Sequence, residues 1–154
     1  MPSDLWSFTL DFYARPGVEQ ACLSLQASGA NVCLLLCGAW LTRRGIACDA
    51  ERAREIGQLA TPWHDEVVRP LRELRTQWRE NAKQDAQLSL LREQVKALEL
   101  EAERELLARL EARTLNWSAQ QTPGQEDWLI CLTGEAAGQS RDALQVLRAA
   151  MSQP

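Results

Sequence analysis

Residues 87–113 read QLSLLREQVKALELEAERELLARLEAR. Leu88, Leu91, Val95, Leu98 and Ala102 alternate at spacings of three and four, and Leu106 and Leu110 continue the stripe less regularly. This is a heptad seam, and it predicts a long helix over Gln87–Arg113. Just upstream, TPWHDEVVRPLRELRTQW (61–78) carries Trp63, Val67, Leu71, Leu74 and Trp78 at helical spacing. Thr61-Pro62 reads as a helix start, a capping side chain followed by Pro at the first helical position. The stripe runs through Pro70, so the prediction is one helix kinked there. Two long helices joined near Asn81–Asp85 make an antiparallel hairpin. Glu99 breaks the pattern, because it falls inside the apolar arc. A carboxylate there must be protonated, paired with a cation or reached by solvent. The nearest cations are Arg72, Arg75 and Arg79 on the preceding helix. Helix register is the role its position suggests, and a binding site is the alternative.

Composition extends the helical reading to the whole chain. Its 154 residues contain 24 Leu and 21 Ala but only 6 Val and 3 Ile. Leu, Ala, Glu and Arg lose least on entering a helix, whereas strands favour β-branched side chains. Hydrophobic residues make up 45% and charged residues 25%, which excludes a disordered or collagen-like chain. Net charge is −4 and the pI about 5.1, so no basic field invites nucleic acid or an anionic membrane. The longest apolar stretch, Val32–Leu41, is about half of a bilayer span. Cys22, Cys33, Cys37, Cys48 and Cys131 are odd in number and follow an N-terminus without a signal-peptide pattern. Reduced thiols and a cytoplasmic location are expected.

Working towards the N-terminus, Asp49 caps a charged helix over Ala50–Leu59. Asn31 caps a helix over Val32–Arg44 that is apolar almost all round and belongs at the centre of a bundle. Before it, Pro16 is placed to open a helix carrying Val18, Cys22 and Leu25, stopped by Gly29. Ser3 is placed to cap a first helix running to about Ala14 with Leu5, Phe8 and Phe12 on its face. Beyond Leu115 the character changes. Asn116–Asp127 is polar and holds Pro123-Gly124, a loop or linker. Trp128–Leu132 fits a strand or a helical turn, and Ser140–Met151 is a last amphipathic helix. The expected architecture is an all-α, compact helical bundle of five to seven helices with a long antiparallel hairpin. Residues 1–115 form the helical core domain, with 116–154 a linker and short helix packed on or beside it.

The stretch LWSFTLDFYARPGVEQACLSLQ, then NVCLLLCGAWL, PWHDEVVRPLRELR and KALELEAERELL, resembles a small uncharacterised domain-of-unknown-function family of gammaproteobacteria, pseudomonads included. The resemblance covers about residues 4–113. It implies a soluble, mainly helical, cytoplasmic protein with a variable C-terminal part, and it supplies no activity. The family pattern carries Asp-Val-Asn where this chain has Asn31-Val32-Cys33.

No catalytic, cofactor or metal site is expected. The Cys33–Cys37 gap lies within the range of zinc knuckles but sits in an apolar helix, where thiols act as small hydrophobes. His64, the only histidine, stands beside Asp65 and Glu66 on a first helical turn, and no sequence motif positions a nucleophile for it. Arg72, Arg75 and Arg79 share a strip with Arg69 near its edge, facing Glu99 and Glu103 across the hairpin. Ion pairing within the hairpin explains that strip most simply, and a partner-binding or RNA-binding surface is the alternative. Residues 40–80 hold eight Arg against seven Asp or Glu, which disfavours RNA. Trp117 and Trp128 flank the polar linker as candidate exposed aromatic contacts. The leading functional expectation is a small cytoplasmic regulator or adaptor acting by protein–protein contact, with a homodimer as a further expectation. The first alternative is an enzyme or metal-dependent protein using His64 with Asp65/Glu66, or a cysteine site. The second is an RNA-binding accessory protein using the arginine strip.

Overall fold

A computed structural model describes residues 4–118, 127–133 and 141–152, and these are helical throughout their regular structure. α1 spans Leu5–Tyr13. Its cap is Asp4, whose Oδ1 accepts the Ser7 N–H at 2.7 Å. The expected cap, Ser3, lies outside the described residues. Glu111 also accepts the Leu5 N–H, tying this helix start to a distant helix. α2 spans Val18–Ala27. Pro16 does not open it. Gly17, at φ 81°, stands between them in the left-handed region and turns the chain, a conformation that suits glycine.

α3 (Val32–Arg43) buries nearly every position, as its all-round apolar character requires. Asn31 caps it through Oδ1, which accepts the Leu34 N–H at 3.3 Å. α1, α2 and three later helices, Ala50–Trp63, Ala86–Thr114 and Trp128–Thr133, all pack against it.

α4 spans Ala50–Trp63, capped by Asp49 as expected. Thr61-Pro62 starts no helix, since Pro62 lies inside α4. The missing N–H leaves one ladder bond unmade. Ile56 and Ala60, both fully buried, hold the turn before it, and Trp63 Nε1 donates to the Ala102 carbonyl at 2.9 Å just after it. Tertiary contacts thus carry the helix past the proline. The run continues through a π turn, His64–Val68, into α5 (Arg69–Gln77), where the Arg69 N–H reaches back to the His64 carbonyl. The kink expected at Pro70 therefore takes the form of a widened turn immediately before it.

That turn rotates the predicted stripe by one position. Val68 is only 1% exposed, whereas Val67 is half-buried. α5 and the short α6 (Arg79–Ala82) bury no residue fully. Asp85 then caps α7 (Ala86–Thr114), which returns antiparallel to α5. The seam of α7 differs from the heptad reading at Leu91 and Leu98, which are 50% and 51% exposed. α5 approaches through Arg72 and Arg75, so the buried line passes through Val95, Glu99, Ala102, Leu106 and Leu110.

The run Trp128–Leu132, which fits a strand or a helical turn by sequence, is helical and belongs to α8 (Trp128–Thr133). It crosses α3 at Gly38, where an added Cβ would lie 2.7 Å from Leu132 Cδ1 and 3.2 Å from Trp128 Cβ. Glycine permits this close approach. α9 spans Arg141–Met151 and packs on α2 through Leu144 and Leu147. Ser140, and most of the polar stretch expected to be a loop between Asn116 and Asp127, lie outside the described residues. Among the described residues no helix is long and apolar enough to cross a membrane.

Candidate functional site

The hairpin brings together four of the six charged residues singled out in the sequence. Glu99 is 7% exposed and accepts from Arg75 Nε at 2.5 Å and Arg72 Nε at 3.2 Å. Arg72 Nη2 also donates to Glu103 at 3.2 Å. Burial raises the Glu99 carboxyl, but the hydrogen bonds and charges of Arg75 and then Arg72 outweigh it, leaving the group below its ordinary value. Glu103 goes the other way. Its burial dominates, and the neighbouring Glu99 charge adds to it despite Arg72. Two carboxylates share two guanidiniums, so the cluster is electrically balanced. Arg69 instead bonds Asp65 on its own helix, and Arg79 is exposed with no ion pair among the described residues.

Beside this cluster, under the hairpin, lies a cavity of about 250 Å³. α1 contributes Trp6, Thr9, Leu10 and Tyr13, α2 contributes Gln26, the Asn31 cap and the start of α3 contribute Asn31, Val32, Cys33 and Leu36, and the π turn contributes His64 and Val68. Arg72, Leu100, Glu103 and Leu107 complete the hairpin wall. Three side-chain atoms around this space are buried without a hydrogen-bond partner: Thr9 Oγ1, Asn31 Nδ2 and His64 Nε2. An unpaired buried polar group costs about 1–3 kcal/mol, and these three atoms lie in the residues around one space, each turned out of reach of it. His64 Nδ1 lies 3.3 Å from Asp65 Oδ1, and burial holds the ring below its ordinary pKa despite that carboxylate. Glu66 is exposed and does not line the cavity.

The sequence singles out His64, Arg72 and Glu103, but not Thr9 or the unpartnered amide nitrogen of Asn31. Thr9 had a signal, since it stands four residues after Leu5 and three before Phe12, on the buried face of α1. Asn31 was read only as a cap, which employs its oxygen and leaves its nitrogen unexplained.

Trp128 is not an exposed contact. It is 3% exposed, and its Nε1 donates to the Ile46 carbonyl at 2.8 Å. Trp117 is half-buried and stacks on it at 6.1 Å between ring centroids. Arg52 lies 5.1 Å above the Trp117 ring, and Arg44 donates to the carbonyls of Thr114 and Trp117. The polar residues between the two rings suggest a surface position for both, but α8 folds back on α3, which buries Trp128 and leaves Trp117 half-buried against it. Cys22, Cys33, Cys37 and Cys48 are buried. Burial pushes the Cys22 and Cys37 thiols up to about 12 and Cys33 higher still, which fits packing rather than nucleophilic chemistry.

The fold and site define an all-α protein with a salt-bridged hairpin standing over a small, partly polar cavity. Residues 4–110 match the family model described as "Protein of unknown function (DUF2390)", and the chain belongs to that family. No curated protein and no solved structure matches the chain.

Proposed function

We propose that the protein acts by contact with another protein, as a small regulator or adaptor, through the outer flank of the hairpin. One observation carries this reading. Leu74, Leu91 and Leu98 are 38%, 50% and 51% exposed on one flank of the α5–α7 pair, opposite the flank that carries Arg72 and Glu103. At about 100° per residue, Leu98 points away from Leu107, which lines the cavity. The ion pairs of Glu99 hold the hairpin, so these leucines are not needed to close it, and an apolar strip left outside a fold marks an interaction surface. The net charge of −4 favours a protein over a nucleic acid, and two of the four strip arginines are already engaged by glutamates. The setting we infer is the bacterial cytoplasm, where an odd set of five thiols stays reduced.

The test uses the full-length protein as bait in native cytosol at low and moderate salt, beside the triple variant Leu74→Gln/Leu91→Gln/Leu98→Gln. Glutamine preserves helix propensity while removing the apolar strip. The expected result is one stoichiometric protein, or a second copy of the chain, retained by the wild type and lost by a variant of equal helix content. RNA as the only co-purifying species, or a variant that keeps the partner, overturns the reading.

A further inference from the structure

The leucine strip on the outer flank of the hairpin lies in a face without charge, although 25% of the chain is charged. At about 100° per residue, that face runs through Leu74, Gln77 and Asn81 on α5 and α6, and through Leu91, Gln94 and Leu98 on α7. All six are exposed. Glu101, one turn beyond Leu98, is the first charged residue to interrupt it. We propose that this face is the seat of a two-fold dimer, in which α7 packs antiparallel on α7 of a second copy and the two hairpins make a four-helix bundle. The inference rests on the hairpin-flank reading above and names its partner.

Charge selects the occupant. Each copy carries a net charge of −4, so two copies approach best through a face that holds none, and a contact there strands no buried ion. The polar positions point the same way. Gln77, Asn81 and Gln94 are amides, each with donor and acceptor together, so an identical face supplies the complement of each. Spacing then sets the register. Leu91 and Leu98 stand one heptad apart, about 10.5 Å along the helix, with Gln94 between them. Antiparallel packing with the two-fold axis at Gln94 sets Leu91 of each copy against Leu98 of the other, and Gln94 beside Gln94, an isologous contact. Because Arg75 bonds Glu99, the residues just before them, Leu74 and Leu98, sit at nearly the same level of the hairpin. Each end of the contact thus holds Leu74 and Leu98 of one copy against Leu91 of the other. The arm also lacks a core of its own. α5 and α6 bury no residue fully, and between Ala86 and Leu98 only Val95 of α7 is buried. A second arm completes the layer of helices that two alone leave open. Two helix faces, each about 16 Å long and 10 Å wide, amount to roughly 1,000 Å² of accessible surface over both copies, the lower end for a specific contact. The dimer is therefore reversible, with a Kd of about 10 μM.

The experiment follows the mass of the full-length protein by sedimentation from about 1 μM to 1 mM, for the wild type, Leu91→Lys and Leu98→Glu. The wild type should pass from monomer to dimer across that range. Leu91 and Leu98 are 50% and 51% exposed in the single chain, so each variant should keep its helix content. Each should raise Kd at least about tenfold, because a lone charge then meets leucine across the contact. Mixed in equal amounts, the two variants should dimerise again, since the introduced ammonium of one faces the introduced carboxylate of the other. Leu91→Lys mixed with Leu91→Glu should stay monomeric, because antiparallel packing keeps those positions about 10.5 Å apart along the bundle. If either variant does not fold, Gln94→Lys replaces it, placing two like charges together on the axis, and Gln94→Glu should rescue it. A wild type that stays monomeric throughout, variants that dimerise as well as the wild type, or a first mixture that shows no rescue overturns the proposal, as does rescue confined to the Leu91 pair. A monomer whose leucine strip still retains a different protein overturns the dimer and leaves the flank reading standing. Should the triple glutamine variant keep every partner, both fall.

Discussion

Glu99 accepts from two arginines, so neither arginine alone decides its fate. In Arg75→Ala, Arg72 still neutralises the carboxylate, and the loss should be about 1.5–3 kcal/mol, the range for hydrogen bonding to a charged group. Arg72→Ala removes the cation of Glu103 as well, so its loss should be at least as large. The double variant strands a carboxylate that is 7% exposed, and its cost should exceed the sum of the two single losses. Urea unfolding of the four proteins checks this, and strict additivity would show that Glu99 is reached by solvent. His64 gives the pH dependence. Its folded pKa lies below the ordinary 6.5, with burial the largest cause, so the neutral ring is favoured in the folded state. The resulting stability is present above pH 6.5 and is lost as pH falls through the folded value. Glu99, also lowered, adds its own loss only below its ordinary 4.5. His64 should therefore cost stability as pH drops below 6.5, against an opposing gain from the raised Glu103 carboxyl, and His64→Gln should remove the histidine loss while leaving the steeper acid loss intact.

The π turn is an element-scale insertion, one residue more than an α-helix needs between Trp63 and Arg69. Deleting exposed Glu66 should let this segment close as ordinary α-helix, with α4 and α5 both keeping their registers. The protein should remain folded with a cooperative melt. Deleting exposed Glu101 from α7 should be far worse, because no wide turn absorbs the loss and everything after it rotates by about 100°. Ala102, Leu106 and Leu110 would then leave the core while Val95 and Glu99 stayed. Circular dichroism melts of the two deletions separate these outcomes, and equal damage would mean that the wide turn is required as it stands. The same turn shows why the sequence was only partly legible. The helices existed where caps and apolar spacing agreed, as at Asn31, Asp49 and Gly29. Thr61-Pro62 carried a strong local start signal that buried Ile56 and Ala60 overrode from outside the segment. The phase of the stripe was lost because a π turn leaves no spacing signature, so Val67 was expected inside and Val68 is there. In α7 the apolar period pointed to Leu91 and Leu98, and only the position of a facing helix could move the buried line to Glu99. The arginine–glutamate pairing was nonetheless readable, because charge placement on two antiparallel helices survives a modest rotation. The cavity was not, since its walls come from segments about 90 residues apart.

At the scale of the whole molecule, the match to the family ends at residue 110, but the packing does not. α8 lies across α3 at Gly38, and α9 covers α2 with Leu144 and Leu147. Trp128, Leu129, Leu144 and Leu147 all belong to the same buried cluster as α1 to α3. Removing them would expose apolar surface on both sides of each contact. Each such side chain is worth about 1.5–3 kcal/mol on burial. Four of them together rival the ~5–15 kcal/mol that holds a typical domain folded. A chain ending at residue 115 should therefore lose its cooperative thermal transition and bind a hydrophobic dye, even though every helix of the hairpin remains in it. Supplying residues 116–154 as a separate peptide should restore the transition if α8 and α9 act only as a cover. A truncated chain that melts as sharply as the full protein would show instead that residues 1–115 form a self-sufficient core, with the last two helices an addition to it.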